Sequence, residues 1–142
     1  MRSGHDRPES AVTLTGIRTM RAQGVKRLIF VLSLGIYNEV PGQFGKWNSA
    51  TIGEDLKPFR CAADAIEASG LDYTIIRPAW LMDDDEVDYE LTPKGQAFKG
   101  SVVSRKSIGD LIVKLVSDPT MHVGASLGVN KPDSDSDKPY FM

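Results

Sequence analysis

Residues 71–80 read Leu-Asp-Tyr-Thr-Ile-Ile-Arg-Pro-Ala-Trp, and they follow Ala62-Ala63-Asp64-Ala65-Ile66-Glu67-Ala68-Ser69-Gly70. Leu56, Phe59, Ala63 and Ile66 trace one face of a helix, Pro58 fits in its first turn, and Gly70 is its stop. The run Leu71 to Ile76 is then a short buried strand, closed by Arg77-Pro78 because proline cannot donate to a ladder. Upstream, Leu28-Ile29-Phe30-Val31-Leu32 is apolar at every position, the pattern of a strand buried on both faces of a parallel sheet. Strand, helix and strand with short exits form a βαβ unit, so the two strands are expected to be parallel neighbours. The fold class is α/β, a mostly parallel sheet with helices on its faces.

Working outward, Ser10 is a candidate N-cap for a helix carrying Leu14, Ile17 and Met20, with Gly24 where a left-handed cap would fall. Residues 1–10 have no apolar residue after Met1 and are expected to be a disordered tail, leaving 11–142 as a single domain. Residues 35–54 hold Gly35, Pro41, Gly42, Gly45 and Gly53 among Tyr37, Phe44 and Trp47, and read as a long aromatic loop or lid. A third helix is marked by a Ser107/Asp110 pair and by Ile108, Leu111, Ile112, Leu115 and Val116. Between Asp83 and Gly100 the reading is an acidic loop, 101–103 and 127–129 are short strands, and Lys131 to Met142 is a solvated tail.

Composition narrows the function. With 142 residues, 17 Lys+Arg against 19 Asp+Glu gives a net charge of -2 with no long block of either sign, which disfavours nucleic acid and anionic membrane as partners. The five-residue apolar run at 28–32 is too short to span a bilayer. One cysteine cannot form an internal disulfide, and the first thirty residues lack the apolar stretch of a secretory signal, so a cytoplasmic setting is expected.

Ligands of open parallel sheets bind beyond the carboxyl ends of the strands. That rule selects Ser33-Leu34-Gly35 and Arg77-Pro78-Ala79-Trp80, which open onto one rim because neighbouring strands lie about 4.8 Å apart. A hydroxyl, a guanidinium, backbone amides and an aromatic lid could hold a flat, negatively charged ligand such as a nucleotide. Plainer readings stand beside this one. Ser33 also suits a turn, Arg77 also suits an ion pair with Asp83, Asp84 or Asp85, and Tyr37, Phe44 and Trp47 are more readily packing residues than ligand contacts. Consecutive carboxylates at 83–86 lack the alternation of a calcium loop, His5 and His122 are too far apart to pair, and Cys61 has no neighbouring His, so no metal site and no nucleophile are assigned.

The stretches GVKRLIFVLSLGIY, FRCAADAIEASGLDYTIIRPAWL and VSRKSIGDLIV resemble the second half of atypical short-chain dehydrogenase/reductase proteins, the NmrA-like, NAD(P)-binding Rossmann group, over roughly residues 10 to 142. The resemblance implies that Ser33, Leu34, Pro78, Ala79, Arg77 and Tyr37 border the nicotinamide side of NADP or NAD. It also implies a partial Rossmann layer, with the N-terminal βα units and their glycine-rich phosphate loop missing. Gly42-Gln43-Phe44-Gly45 is the nearest spacing to that loop, so dinucleotide affinity is expected to be weakened or lost.

The Tyr-x-x-x-Lys pair of carbonyl-reducing members is absent as well. Four residues after Tyr37, Tyr73 and Tyr89 stand Pro41, Arg77 and Pro93. If active, the chain would be an NAD(P)-dependent oxidoreductase; the alternatives are a non-catalytic redox-sensing regulator and a ligand-free interaction or remnant domain. The strand at 28–32 would then carry a free edge, so a homo-oligomer joined through this edge or the first helix is expected.

Overall fold

The structure, a computed structural model, describes residues 8–142. Chain order is α1 (Pro8–Ala22), β1 (Arg27–Val31), α2 (Gly42–Glu67), β2 (Asp72–Pro78), β3 (Trp80–Met82), β4 (Glu90–Pro93), β5 (Val102–Ser104), α3 (Arg105–Ser117) and β6 (Ala125–Asn130). The main sheet has the order β1-β2-β6-β4, and a two-stranded sheet joins β3 to β5. β1 pairs parallel with β2 from Arg27↔Asp72 to Val31↔Ile76, as the βαβ reading requires. β6 continues the parallel arrangement on the other side of β2, and β4 closes the sheet antiparallel to β6.

Strand alternation sends Ile75 and Ile76 to opposite faces, and each is fully buried in its own apolar cluster. Ile75 lies with Ile17 of α1 and with Leu56, Ala62, Ala63 and Ile66 of α2. Ile76 lies with Ile108, Leu111 and Leu115 of α3, joined by Phe44 from the first turn of α2. The result is a three-layer partial Rossmann arrangement. No helix among the described residues is long and apolar enough to cross a membrane.

Several sequence expectations need correction. The aromatic loop at 35–54 is mostly helix: α2 starts at Gly42, so the connection after β1 is short and Phe44 and Trp47 are helical residues. Phe44, Asn48, Leu56, Ala63 and Ile66 lie along one buried stripe, a helical period that the glycines and Pro58 obscure in the sequence. Pro58 sits inside α2 instead of in its first turn. Its missing N–H and ring clash cost about 3 kcal/mol in an ordinary helix, which the two-cluster burial of α2 offsets.

β1 is half-buried and edge-lying, with Val31 43% exposed, because nothing pairs on its second side among the described residues. β2 does not stop before Arg77-Pro78 but runs through Pro78. Its backbone tolerates proline there because the carbonyls of Ile76 and Pro78 face the β1 side, where they accept from Leu32 N–H and Leu34 N–H. The ring nitrogen of Pro78 therefore points to the same side, just past the last residue of β1.

The cap of α3 is Ser104, whose Oγ accepts from Ser107 N–H at 2.9 Å; Ser107 itself is already inside the helix. Val116 is 65% exposed and falls outside the buried stripe of Ile108, Leu111 and Leu115. The acidic stretch contains β4, and the C-terminal segment is tied down: Asp135 accepts from Gly100 N–H at 2.8 Å and Ser101 Oγ donates to Ser134 O at 2.6 Å. Of the expected tail, residues 1–7 lie outside the described residues, His5 with them, and Pro8–Ser10 open α1, so Ser10 is a helical residue and not a cap. The other end of α1 is as read: Gly24 at φ 71° and the bonds Val25 N–H to Met20 O and Gly24 N–H to Arg21 O make a left-handed cap.

Candidate functional site

The parallel pairing brings the ends of β1 and β2 onto one rim, where a cleft of about 390 Å³ opens. Leu32, Ser33 and Leu34 form one wall, and Pro78, Ala79 and Trp80 the other. Ile52 and Phe59 of α2 roof it, and Arg105, the first residue of α3, stands at its lip. The bonds from Leu32 N–H to Ile76 O (2.7 Å) and from Leu34 N–H to Pro78 O (3.2 Å) fix the two walls to one another. Gly35 follows directly, at φ 88°, and a Cβ there would lie 2.9 Å from Leu56 Cδ1, so only glycine lets the chain turn this tightly over α2. The cleft volume is near the lower end of the range for small-molecule sites, and its walls are mainly apolar with few polar groups, as such sites usually are.

Of the six residues singled out in the sequence, Ser33, Leu34, Pro78 and Ala79 line this cleft, and Arg77 and Tyr37 do not. Alternation along β2 turns Arg77 away from Ile76 to the face of Ile75, where its side chain is 1% exposed. It donates from Nη1 to Glu39 Oε2 at 2.5 Å, from Nε to Ser126 Oγ at 3.0 Å and from Nη2 to Ser126 O at 3.0 Å. The ion pair is thus with Glu39, on the connection after β1, and not with the 83–85 carboxylates. Those are engaged elsewhere: Asp83 pairs with Arg105 and Asp85 with Lys106.

Tyr37 stacks beside the same buried pair, with the Arg77 guanidinium 5.0 Å from its ring centre, Arg60 at 5.1 Å and Lys94 at 4.5 Å. Its hydroxyl is 2.9 Å from Ser126 Oγ and donates to Glu67 Oε2 at 3.3 Å. Burial, reinforced by the Glu67 carboxylate, pushes this phenol up to about 12 against the relief from Ser126 and Arg77. A phenol serving as a proton donor near neutral pH needs the opposite shift. Because the folded-state value lies above the ordinary 10.0, the stability linked to this group is present below pH 10 and is lost as pH rises through about 12. Tyr37→Phe is therefore expected to flatten the fall in stability between those values, as read by urea unfolding across the alkaline range; an unchanged alkaline slope would contradict the assignment.

Phe44 and Trp47 stack at 6.1 Å and Trp47 lies 5.1 Å from Trp80, so these aromatics pack the first turns of α2 against the β2–β3 corner. Trp80 Nε1 donates to Asn48 Oδ1 at 2.8 Å. The residues that sequence reading missed are Ile52, Phe59, Leu81 and Arg105. The signal for Arg105 was present in Ser104, whose capping of α3 makes Arg105 the first helical residue. A second cavity, of about 330 Å³ between Phe44, Phe98 and Asp135, lies away from the strand ends, and the Asp135 carboxylate is already bonded to Gly100.

The profile of the family described as NAD(P)H-binding matches residues 2–119. Among solved structures, the chain is similar to a Rossmann-fold NAD(P)-binding family protein from Shigella flexneri, with 53% identity, 92% of this chain and 58% of that chain covered, and a TM-score of 0.73. It is also similar to a wide-type short-chain dehydrogenase/reductase from Veillonella parvula in complex with NADP, with 30% identity, 92% and 62% covered, and a TM-score of 0.87. A third, an NAD-dependent epimerase/dehydratase from Bacillus halodurans, shares 24% identity over 93% of this chain and 56% of that one, at a TM-score of 0.72, and shows the fold alone. The chain spans about three fifths of the length of these proteins. No curated protein matches it.

Proposed function

Because the chain belongs to the NAD(P)H-binding family of Rossmann-fold proteins, we propose that it is an oxidoreductase-like protein whose cleft beyond β1 and β2 receives the nicotinamide side of NADP or NAD. The observation that carries this reading is the convergence of Ser33, Leu34, Pro78 and Ala79 on one cleft at the carboxyl ends of two parallel strands. Those residues suit that half of a dinucleotide: Leu34 and Ala79 offer apolar walls to a flat ring, Phe59 covers it, and Ser33 supplies a hydroxyl. When bound, the nicotinamide would supply hydride transfer at its ring. Arg77 and Tyr37 support the cleft from outside its lining, by tying the β1–α2 connection to β2 and β6, and are not proposed as contacts.

A titration with NADPH, followed by calorimetry or nicotinamide fluorescence, tests the reading. The chain has no glycine-rich phosphate loop, so weak binding is expected, and Ser33→Trp, which fills the cleft, should reduce it roughly tenfold or more. Absence of any signal, or equal binding by the filled variant, would reject the site. A redox-sensing role without turnover is the second reading, favoured by the missing Tyr-x-x-x-Lys pair and by the position of Tyr37 outside the cleft lining. NADPH consumption with small quinones or aldehydes would rule it out.

We also propose self-association. The outer edge of β1 has no strand beside it among the described residues, and α1 exposes Val12 and Leu14. Sedimentation is expected to show a dimer or larger species at tens of micromolar; a compact monomer under those conditions would contradict this.

A further inference from the structure

Resting on the reading of this cleft as a ligand site, we propose that Arg105 receives an anionic oxygen group of the bound ligand, giving up Asp83 to do so. Arg105 is the single charged residue among those lining the cleft, whose walls are otherwise apolar apart from Ser33. Trp80 offers no second donor, because its indole N–H is already bonded to Asn48. A ligand with an apolar body that enters here therefore meets one cation and no carboxylate among the lining residues.

The guanidinium is available for that exchange. Its partner Asp83 lies on the acidic stretch after β3, and the two side chains are 58% and 84% exposed, so the pair is solvent-screened and weakly held. Asp83 engages Nη1, which leaves further N–H donors of the same planar group to form a two-point contact with a carboxylate or a phosphate. The backbone holds the residue in place more firmly than the ion pair does. Arg105 directly follows Ser104, which is fully buried, caps α3 through Ser107 N–H and donates to Glu86 O at 2.7 Å. The adjoining Lys106 is turned to Asp85 at 2.6 Å and does not line the cleft. The ligand class that fits is an apolar, ring-sized body bearing one anion, supplied either by the phosphate of a nicotinamide nucleotide or by the carboxylate of a second, organic-acid ligand.

The test follows the Trp80 indole N–H resonance of the whole chain during titration with two pairs of probes. Reduced nicotinamide mononucleotide is compared with reduced nicotinamide riboside, and 2-naphthoate with 2-naphthamide. In wild type the charged member of at least one pair is expected to bind more tightly than its neutral partner. Arg105→Gln should weaken that charged probe by about tenfold and leave the neutral one unchanged, and Asp83→Asn should tighten it. Circular dichroism confirms that both exposed-site variants fold. Loss confined to the mononucleotide assigns the phosphate, and loss confined to naphthoate assigns a carboxylate ligand. Equal binding of charged and neutral probes, unchanged affinities in Arg105→Gln, or no response to any of the four overturns the inference. NADPH run alongside separates the two levels: NADPH that binds wild type and Arg105→Gln alike, together with unchanged probe affinities, removes the anion site and leaves the dinucleotide reading standing. Arginine-dependent naphthoate binding without any NADPH response does the reverse.

Discussion

Arg77→Met is expected to destabilise the protein by about 3–5 kcal/mol, since it leaves a buried charge without its partner. The Glu39 side chain is 8% exposed and faces Arg77 at 2.5 Å. With the guanidinium gone, that carboxylate must remain desolvated, take up a proton, or pull the β1–α2 connection open toward water. Ser126 Oγ and Ser126 O also lose their donor. The loss is larger than an exposed ion pair could give. Removing Lys57 from its pair with Glu54, both well exposed, should cost no more than about 1 kcal/mol by comparison. Urea unfolding of the two variants side by side is the measurement. If Arg77→Met and Lys57→Met fall within 1 kcal/mol (about one exposed pair's worth) of each other, the buried pair is not what holds the connection. Replacing both partners, Arg77→Met with Glu39→Leu, should recover much of the loss, because the penalty lies in the orphaned charge more than in the missing attraction.

Gly45→Ala is the second large effect, expected at about 3 kcal/mol, the upper part of the range for overpacking. A Cβ at this position would lie 2.0 Å from the carbonyl oxygen of Val40 and 2.8 Å from its carbon, and backbone cannot yield as a flexible side chain does. Gly45 N–H also donates to Pro41 O at 3.1 Å, so the same few atoms set the start of α2. The strain should spread to Phe44 and Trp47 and through Trp47 to Trp80. Near-ultraviolet circular dichroism should therefore change along with the unfolding midpoint. Gly109→Ala is the control. Gly109 is an exposed residue of α3 with no atom within 4 Å of a would-be Cβ, and alanine there should add about 0.5–1 kcal/mol of stability. Equal effects at the two glycines would show that close approach to Val40 is not the reason for glycine at 45.

Both large effects fall where local pattern misleads. Within the sequence, Gly42, Gly45 and Gly53 count against helix and Pro58 reads as a helix start, so propensity alone breaks α2 in two. What overrides it is burial on both sides: Phe44 joins the cluster around Ile76, and Leu56, Ala63 and Ile66 join the cluster around Ile75. Arg77 misleads in another way. Its place next to Pro78 suggests the rim, yet alternation along β2 and the carboxylate of Glu39, thirty-eight residues earlier, draw it beneath the sheet. The short strands β3 and β4 carry three and four residues, too few to show a period, and exist because β5 and β6 lie beside them. By contrast Ser33, Leu34, Pro78 and Ala79 were legible as one group, because strand ends are fixed by the same runs of apolar residues that fix the strands.

The amino-acid sequence by itself determined the α/β class, the parallel pairing of β1 with β2, the buried stripe of α3 at Ile108, Leu111 and Leu115, and the rim at which a cleft opens, while on α1 it placed Ile17 in the core but not Leu14, which is exposed. Each of these depends on periodicity or on an apolar run within about a dozen neighbouring residues, which is information a linear chain carries. Only the tertiary structure decided the full length of α2, the partner of Arg77 and the arrival of Arg105 at the cleft. Those three depend on which distant groups share a desolvated space, and the energy of a buried contact is set by its surroundings in three dimensions and not by its neighbours along the chain.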